Sequence, residues 1–293
     1  MRRSGPEAST HAVSALTLAC LLVLAGCSGL TAPAAPTPAE TVTPAPVPSP
    51  PPTPPPDLAP GLTASGVTDA GALLAAHRSH LEGTSFRTNR TVSRTLPDGT
   101  VESRVVTRAR FGADGRYHVV RTIDGALRER LGTVARVEQY ATSERGFRRR
   151  VVDDGNATYA TVAPADGEGP QPTALLPGPT AGREVLLALS AVNATVTDRE
   201  RADGEWRYRL AGTGLRSVAA LRSLTGRSDV ASIANLSVTA VVTESGLVRS
   251  YAVTYADRRE GGLVRVRRAG RIAGVGATDV SRPDWYATAL VEG

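Results

Sequence analysis

No lysine occurs anywhere in the 293 residues, so all 34 basic side chains are arginine. That is a codon-usage signature of a GC-rich genome rather than a chemical device. Cysteine is nearly absent, with Cys20 and Cys27 as the only two. Aromatic residues make up 4% of the chain. The one continuous apolar stretch, Ala12 to Ala25, is too short to span a bilayer as a mature helix. No glycine-rich phosphate loop follows a strand, and neither a nucleophile elbow nor a zinc signature appears. These absences leave no catalytic constellation, and the expectation is a protein that is not an enzyme and carries no cofactor or metal. The net charge of +6 is modest for this length. With no nucleic-acid-binding motif, a nucleic-acid partner is not expected.

The N-terminus carries an address. Arg2 and Arg3 precede the apolar stretch, and Leu24-Ala25-Gly26-Cys27 closes it. A charged start, a short apolar core and a small-residue site make a secretory signal. A cysteine directly after Leu-Ala-Gly is the lipobox pattern, in which small residues admit a peptidase and the thiol takes the lipid. Residues 1–26 are therefore read as a signal peptide and Cys27 as the lipidation site. Cys20 leaves with the signal, so the mature chain has one thiol and can form no internal disulfide. The expected location is outside the cell, held to the membrane through the lipid anchor.

Residues 27–65 are read as a disordered stalk. Threonine, alanine, serine and proline dominate, with the runs Pro50-Pro51-Pro52 and Pro54-Pro55-Pro56. Proline removes the amide donor and fixes φ, which suits an extended, semi-rigid tether. At about 3.1 Å per residue, the tether reaches roughly 100 Å.

Residues 66–293 are read as one β-rich globular domain. A helix is expected first, capped by Thr68, with Leu73, Leu74, His77 and Leu81 on one face and Gly83 at its end. Strands follow at 85–96, 101–112, 116–122, 134–142, 147–152 and 158–162. Turns are expected at Pro97-Asp98-Gly99, Asp114-Gly115, Arg145-Gly146 and Asp154-Gly155. Alternation turns Val101, Val105, Ala109 and Phe111 inward and Arg104, Arg108 and Arg110 toward solvent. A Pro/Gly-rich loop covers 164–179. A second helix is read at 183–191. Strands at 194–199 and 205–210 flank Asp203-Gly204, a strong hairpin signal. A short helix lies at 215–224, a hairpin of 236–243 and 247–255 turns at Ser245-Gly246, and 263–269 and 272–276 finish the sheet. The fold class is α+β: a curved, mainly antiparallel sheet, an open half-barrel, with a few helices on its concave face.

Within this frame, "GVTDAGALLAAHRSHLEGTSF" and "NLSVTAVVTESGLVRSYAVTY" followed by "RPDWY" resemble two recurring regions of a family of haloarchaeal surface lipoproteins of unknown function. More distantly, such chains are similar in architecture to the LolA/LolB carriers and the mycobacterial LppX/LprG lipoproteins. That resemblance implies a curved sheet with helices over an apolar cavity, and lipid as cargo.

The candidate site residues follow from these readings. Trp206, Tyr208, Tyr251 and Tyr255 lie on sheet faces, where they either line a ligand cavity or fill the core under the helices. Asn89, Asn156, Asn193 and Asn235 stand in Asn-X-Ser/Thr sequons and are candidate glycan acceptors. His77 and His80 are three apart on the first helix but have no third metal ligand near them. The functional expectation is a non-enzymatic binding module for an apolar or lipid-like ligand. The alternative is a cell-surface interaction or sensor domain with a solid core that binds glycan or protein.

Overall fold

The computed structural model describes residues 56–162 and 182–293. The signal, Cys27, most of the stalk and the loop expected at 164–179 lie outside these residues. Three short strands come first: β1 (Asp57–Ala59), β2 (Leu62–Thr63) and β3 (Gly66–Val67), paired antiparallel in that order. This corrects the reading of a disordered stalk through residue 65, because Ala59 and Leu62 are already buried. Strands of two or three residues are too short to show a hydrophobic period, and the prolines around them mask what remains.

Helix α1 (Ala70–Leu81) follows. Its N-cap is Asp69, not Thr68, and the Asp69 carboxylate accepts the Ala72 N–H. Six strands then run up and down: β4 (Phe86–Thr95), β5 (Val101–Phe111), β6 (Tyr117–Gly125), β7 (Val134–Ala141), β8 (Gly146–Val152) and β9 (Ala157–Val162). A short helix, α2 (Ala126–Arg130), sits between β6 and β7. After α3 (Gly182–Ala191), a second meander begins with β10 (Val192–Ala202) and β11 (Glu205–Leu215). Helix α4 (Val218–Thr225) leads to β12 (Ile233–Thr243), β13 (Val248–Arg259) and β14 (Gly262–Ala273). The chain ends in α5 (Tyr286–Glu292).

All eleven of these longer strands form one antiparallel sheet, in the order β10-β11-β12-β13-β14-β4-β5-β6-β7-β8-β9. The two meanders meet at a single seam, β14 against β4, where Arg268 faces Val92 and Gly270 faces Arg90. Strands β10 and β9 stay at the edges, so the sheet is open and not a barrel. Register slips in the β10–β11, β12–β13, β4–β5 and β7–β8 pairs bend it. One slip, between Arg94 and Thr95, lies opposite Val101, which is 54% exposed rather than inward. The two strands expected at 263–269 and 272–276 are one continuous β14. The helix expected from Leu215 starts at Val218, because β11 runs on to Leu215 and Ser217 supplies the cap.

Helices α1, α3 and α4 stack on one another over the inner face of the second meander. Leu73, Val185, Leu189, Leu210, Leu221, Val238, Val242 and Val253 fill the space between. Helix α5 packs on the other face, with Trp285 and Tyr286 against Tyr140 and Phe147. Alternation puts Tyr140 opposite in direction to the inner residues Gln139 and Ala141. The edge at β10 is shielded by β3, where a Cβ on Gly66 would lie 1.9 Å from the Ala194 carbonyl oxygen.

Because Leu62 is completely buried, its truncation tests whether the N-terminal strands belong to the folding unit. Leu62→Ala is expected to lower the unfolding free energy by about 2–5 kcal/mol, read as a drop in the urea midpoint. A change below about 0.5 kcal/mol would put these strands outside the cooperative unit.

Candidate functional site

The four aromatics read as lining a cavity or filling the core separate into two environments. Tyr208, Tyr251 and Tyr255 are buried in the packed core beneath the helices. Trp206 is 38% exposed, beside the Asp203-Gly204 turn. A space that Tyr251 lines, shared with His77, Val185 and Ile272, is about 20 Å3. That is room for about one water. Under α1, α3 and α4 the inner face is thus filled by its own side chains.

Across the seam the inner face changes character. Cross-strand register sets out its rows. Val92, Val105 and Ile123 stand side by side on β4, β5 and β6. The next row runs Arg90, Thr107, Arg121, Val137 and Arg150, one residue on each strand from β4 to β8. Arginine therefore recurs on every second strand, about 9.6 Å apart at Cα. Arg94 stands at one end of this face and Arg148 at the other. Val105, Thr107, Ile123, Val137 and Gln139 are buried. The Nε atoms of Arg94 and Arg148 are also buried and have no hydrogen-bond partner among the described residues. Burial together with the charge on Arg90 pushes the Arg121 pKa down.

At the seam stands Glu184, in the first turn of α3. Its carboxylate accepts from Arg90 Nε at 2.6 Å and Nη2 at 2.9 Å, from Tyr251 Oη at 2.7 Å and from Arg268 Nη1 at 3.2 Å. Burial opposes the charge, but these donors outweigh it and hold the carboxyl below its ordinary pKa. The same carboxylate raises the Arg90 pKa and, with burial, the Tyr251 pKa. Tyr251 reaches Glu184 by crossing Gly270, where a Cβ would lie 2.3 Å from its ring.

On the outer face a second carboxylate, Glu138, is 2% exposed. It accepts from Trp285 Nε1 at 3.1 Å, Arg136 Nε at 3.0 Å and Arg149 Nη1 at 3.2 Å, with His118 Nε2 at 3.3 Å. Burial raises its pKa, but bonds from His118, Arg136 and Trp285 bring it to about 2. His77 is 2% exposed, and its Nδ1 accepts the Val248 N–H. His80 instead meets the Ser245 carbonyl oxygen. Among the described residues no three histidine, cysteine, aspartate or glutamate side chains stand together to hold a metal. Likewise, no described helix is long and apolar enough to cross a membrane. The sequon residues Asn89, Asn156, Asn193 and Asn235 are all exposed. Cys27 lies outside the described residues.

Over residues 12–289 the chain matches DUF7537, a family of unknown function. The chain belongs to this family. A search of curated proteins found no match for this DUF7537 member. Among solved structures it is similar to LprF from Mycobacterium bovis at 16% identity and TM-score 0.38, covering 73% of this chain and 96% of that one. The Mycobacterium tuberculosis lipoprotein LppX aligns at 11% identity and TM-score 0.30, over 72% and 98%. A LolA superfamily protein from Nitrosomonas europaea aligns at 11% and 0.24, over 72% and 94%. These scores are too low to carry an argument, so the architecture rests on the strand order itself.

Glu184, Arg90 and Arg268 were not singled out in the sequence. One signal was available: Arg268 falls in phase with Val264, Val266 and Ile272, and Arg121 with Val119 and Ile123. An arginine in the apolar phase of a strand marks an inward-pointing charge. On β4 only Phe86 and Val92 mark the phase that Arg90 and Arg94 share, so the signal there was weak.

Two titrations predict acid behaviour. Burial, then the charges of Arg78 and His80, hold His77 at about 4 rather than 6.5. The unfolded chain therefore binds the proton first, and stability should fall as pH drops from 6.5 toward 4. Glu138 is favoured ionised in the fold, so its contribution is full above 4.5 and is lost as pH falls through about 2. Urea unfolding at stepped pH measures both. Glu138→Gln should flatten the slope below 4.5; an unchanged slope would show that the acid-sensitive group lies elsewhere.

Proposed function

We propose that this chain is an exported lipoprotein, anchored through lipid on Cys27 and facing outside the cell. Its folded part is a non-enzymatic binding module for an amphipathic, lipid-like ligand. The ligand's place is the inner face of β4–β8, not the packed space beneath α1, α3 and α4. One observation carries this reading: the buried Nε atoms of Arg94 and Arg148, with no partner among the described residues, on a face that also buries valine and isoleucine. A buried donor without an acceptor is costly, and an oxygen-bearing ligand relieves that cost. Val92, Val105, Ile123 and Val137 offer the apolar body its contact, and the arginines at the rim take its carbonyl, carboxylate or phosphate oxygens. The lipobox and the proline-rich segment supply the anchor and reach that such a module uses.

Native mass spectrometry of the full chain, purified in mild detergent from its own host, tests the reading. A co-purifying lipid-sized adduct is expected, with occupancy reduced roughly tenfold in Arg94→Gln/Arg148→Gln, as for a lost charge-assisted hydrogen bond. Trp206→Arg, at the far hairpin, should leave the adduct in place. A clean, unliganded mass in repeated preparations would sink the proposal.

A further inference from the structure

The outer face of the sheet is arginine-rich on both sides of the seam. Arg265, Arg267 and Arg271 stand on β14, Arg87 on β4, and Arg104, Arg108 and Arg110 on β5. Register makes them neighbours: Arg87 faces Arg110, while Asn89 lies between Arg271 and Arg108. Ser93 in the same way lies between Arg267 and Arg104. All seven arginines are exposed, and none is in an ion pair among the described residues. The acidic groups on this face do not compensate them. Asp124 faces only Arg104, and Glu138 is already engaged by Arg136, Arg149, His118 and Trp285.

Part of this array is recessed. A groove of about 540 Å3 is lined by Arg87, Arg108, Arg110, Arg136, Arg271 and His118. From Arg265 to Arg271 the array runs about 20 Å along the strand, and it is three strands, about 10 Å, wide. Seven like charges so close repel one another, and a ligand carrying several negative charges in line would relieve that repulsion. Guanidinium forks match pairs of oxygens on carboxylates and sulfates two at a time. No phenylalanine, tyrosine or tryptophan is among the described residues that line the groove, so a nucleic-acid base would have only the His118 ring, which is hydrogen-bonded to Glu138, on which to stack. Its recessed form admits a single strand rather than a flat bilayer.

The geometry points to a binding groove for an acidic polysaccharide on the outer face, centred on Arg108, Arg110 and Arg271. It is separate from the inner face proposed for the amphipathic ligand, and either site can be lost without the other.

Binding of the full-length chain, in detergent micelles, to immobilised polygalacturonate and dextran sulfate tests this. Neutral dextran is the reference polymer. Expected are retention on both acidic polymers, none on dextran, and loss of retention as salt screens the charges. Replacing Arg108, Arg110 and Arg271 with glutamine should weaken binding roughly tenfold or more. Replacing Arg199, Arg201 and Arg209, exposed on the distant β10–β11 hairpin, removes the same charge and should weaken it far less. Equal losses in the two variants would overturn the proposal, because net charge would then suffice. It would also be overturned if the chain preferred phosphatidylglycerol vesicles over phosphatidylcholine vesicles while ignoring the soluble polymers. Circular dichroism of both variants, matched to the wild type, excludes misfolding as the cause.

Discussion

One carboxylate holds the two halves of this molecule in register. The eleven-stranded sheet consists of a six-strand meander and a five-strand meander whose only strand pairing with each other is β14 with β4. Every other pairing joins strands that are consecutive in sequence, so this seam alone has to be found across most of the chain. Glu184 sits above it and binds Arg90 on β4, Arg268 on β14 and Tyr251 on β13. Since Glu184 belongs to α3, and α3 packs between α1 and α4, the same ion cluster places the whole helical roof. A buried pair of this kind is weak evidence of net stabilisation, because desolvation offsets much of the attraction. Its value here is geometric: a misregistered seam would leave a buried carboxylate without its donors.

That placement divides the inner face. On one side of the seam the roof presses onto apolar strands and leaves room for about one water. On the other, valines and an isoleucine alternate with arginines, and Arg94 and Arg148 keep a buried Nε without a partner among the described residues. The outer face has a parallel division. Helix α5 closes over the β7–β9 end through Trp285 and the Glu138 cluster, while the middle of the sheet keeps its arginines in solvent. Two surfaces of different chemistry thus share one set of strands, because side chains on a strand alternate in direction.

Much of the local structure was legible. Asp98-Gly99, Asp114-Gly115, Asp154-Gly155, Asp203-Gly204 and Ser245-Gly246 each mark a real reversal, since glycine at these points takes a positive φ. Strands whose inner phase is apolar, such as β5 and β13, were found to within a few residues. Two features left little trace. The strands β1–β3 are too short for a period, and α5 draws its place from contacts with Tyr140 and Phe147. The candidate site suffered most, because its arginines differ in sequence from the solvent-facing ones only by the phase they occupy.

By itself the sequence determined the order of helices and strands, the turns between them and the antiparallel class. Those depend on residues within a few positions of one another. Only the tertiary structure decided that β14 meets β4, that Glu184 bridges that seam, and which arginines turn inward. These depend on pairings between segments 67 or more residues apart, and the cost of burying a charge is settled only when its partners are in place. The tyrosines show the same division. Their strand and face were readable from alternation, but whether they would line a space or fill it depended on how closely α3 came down upon them.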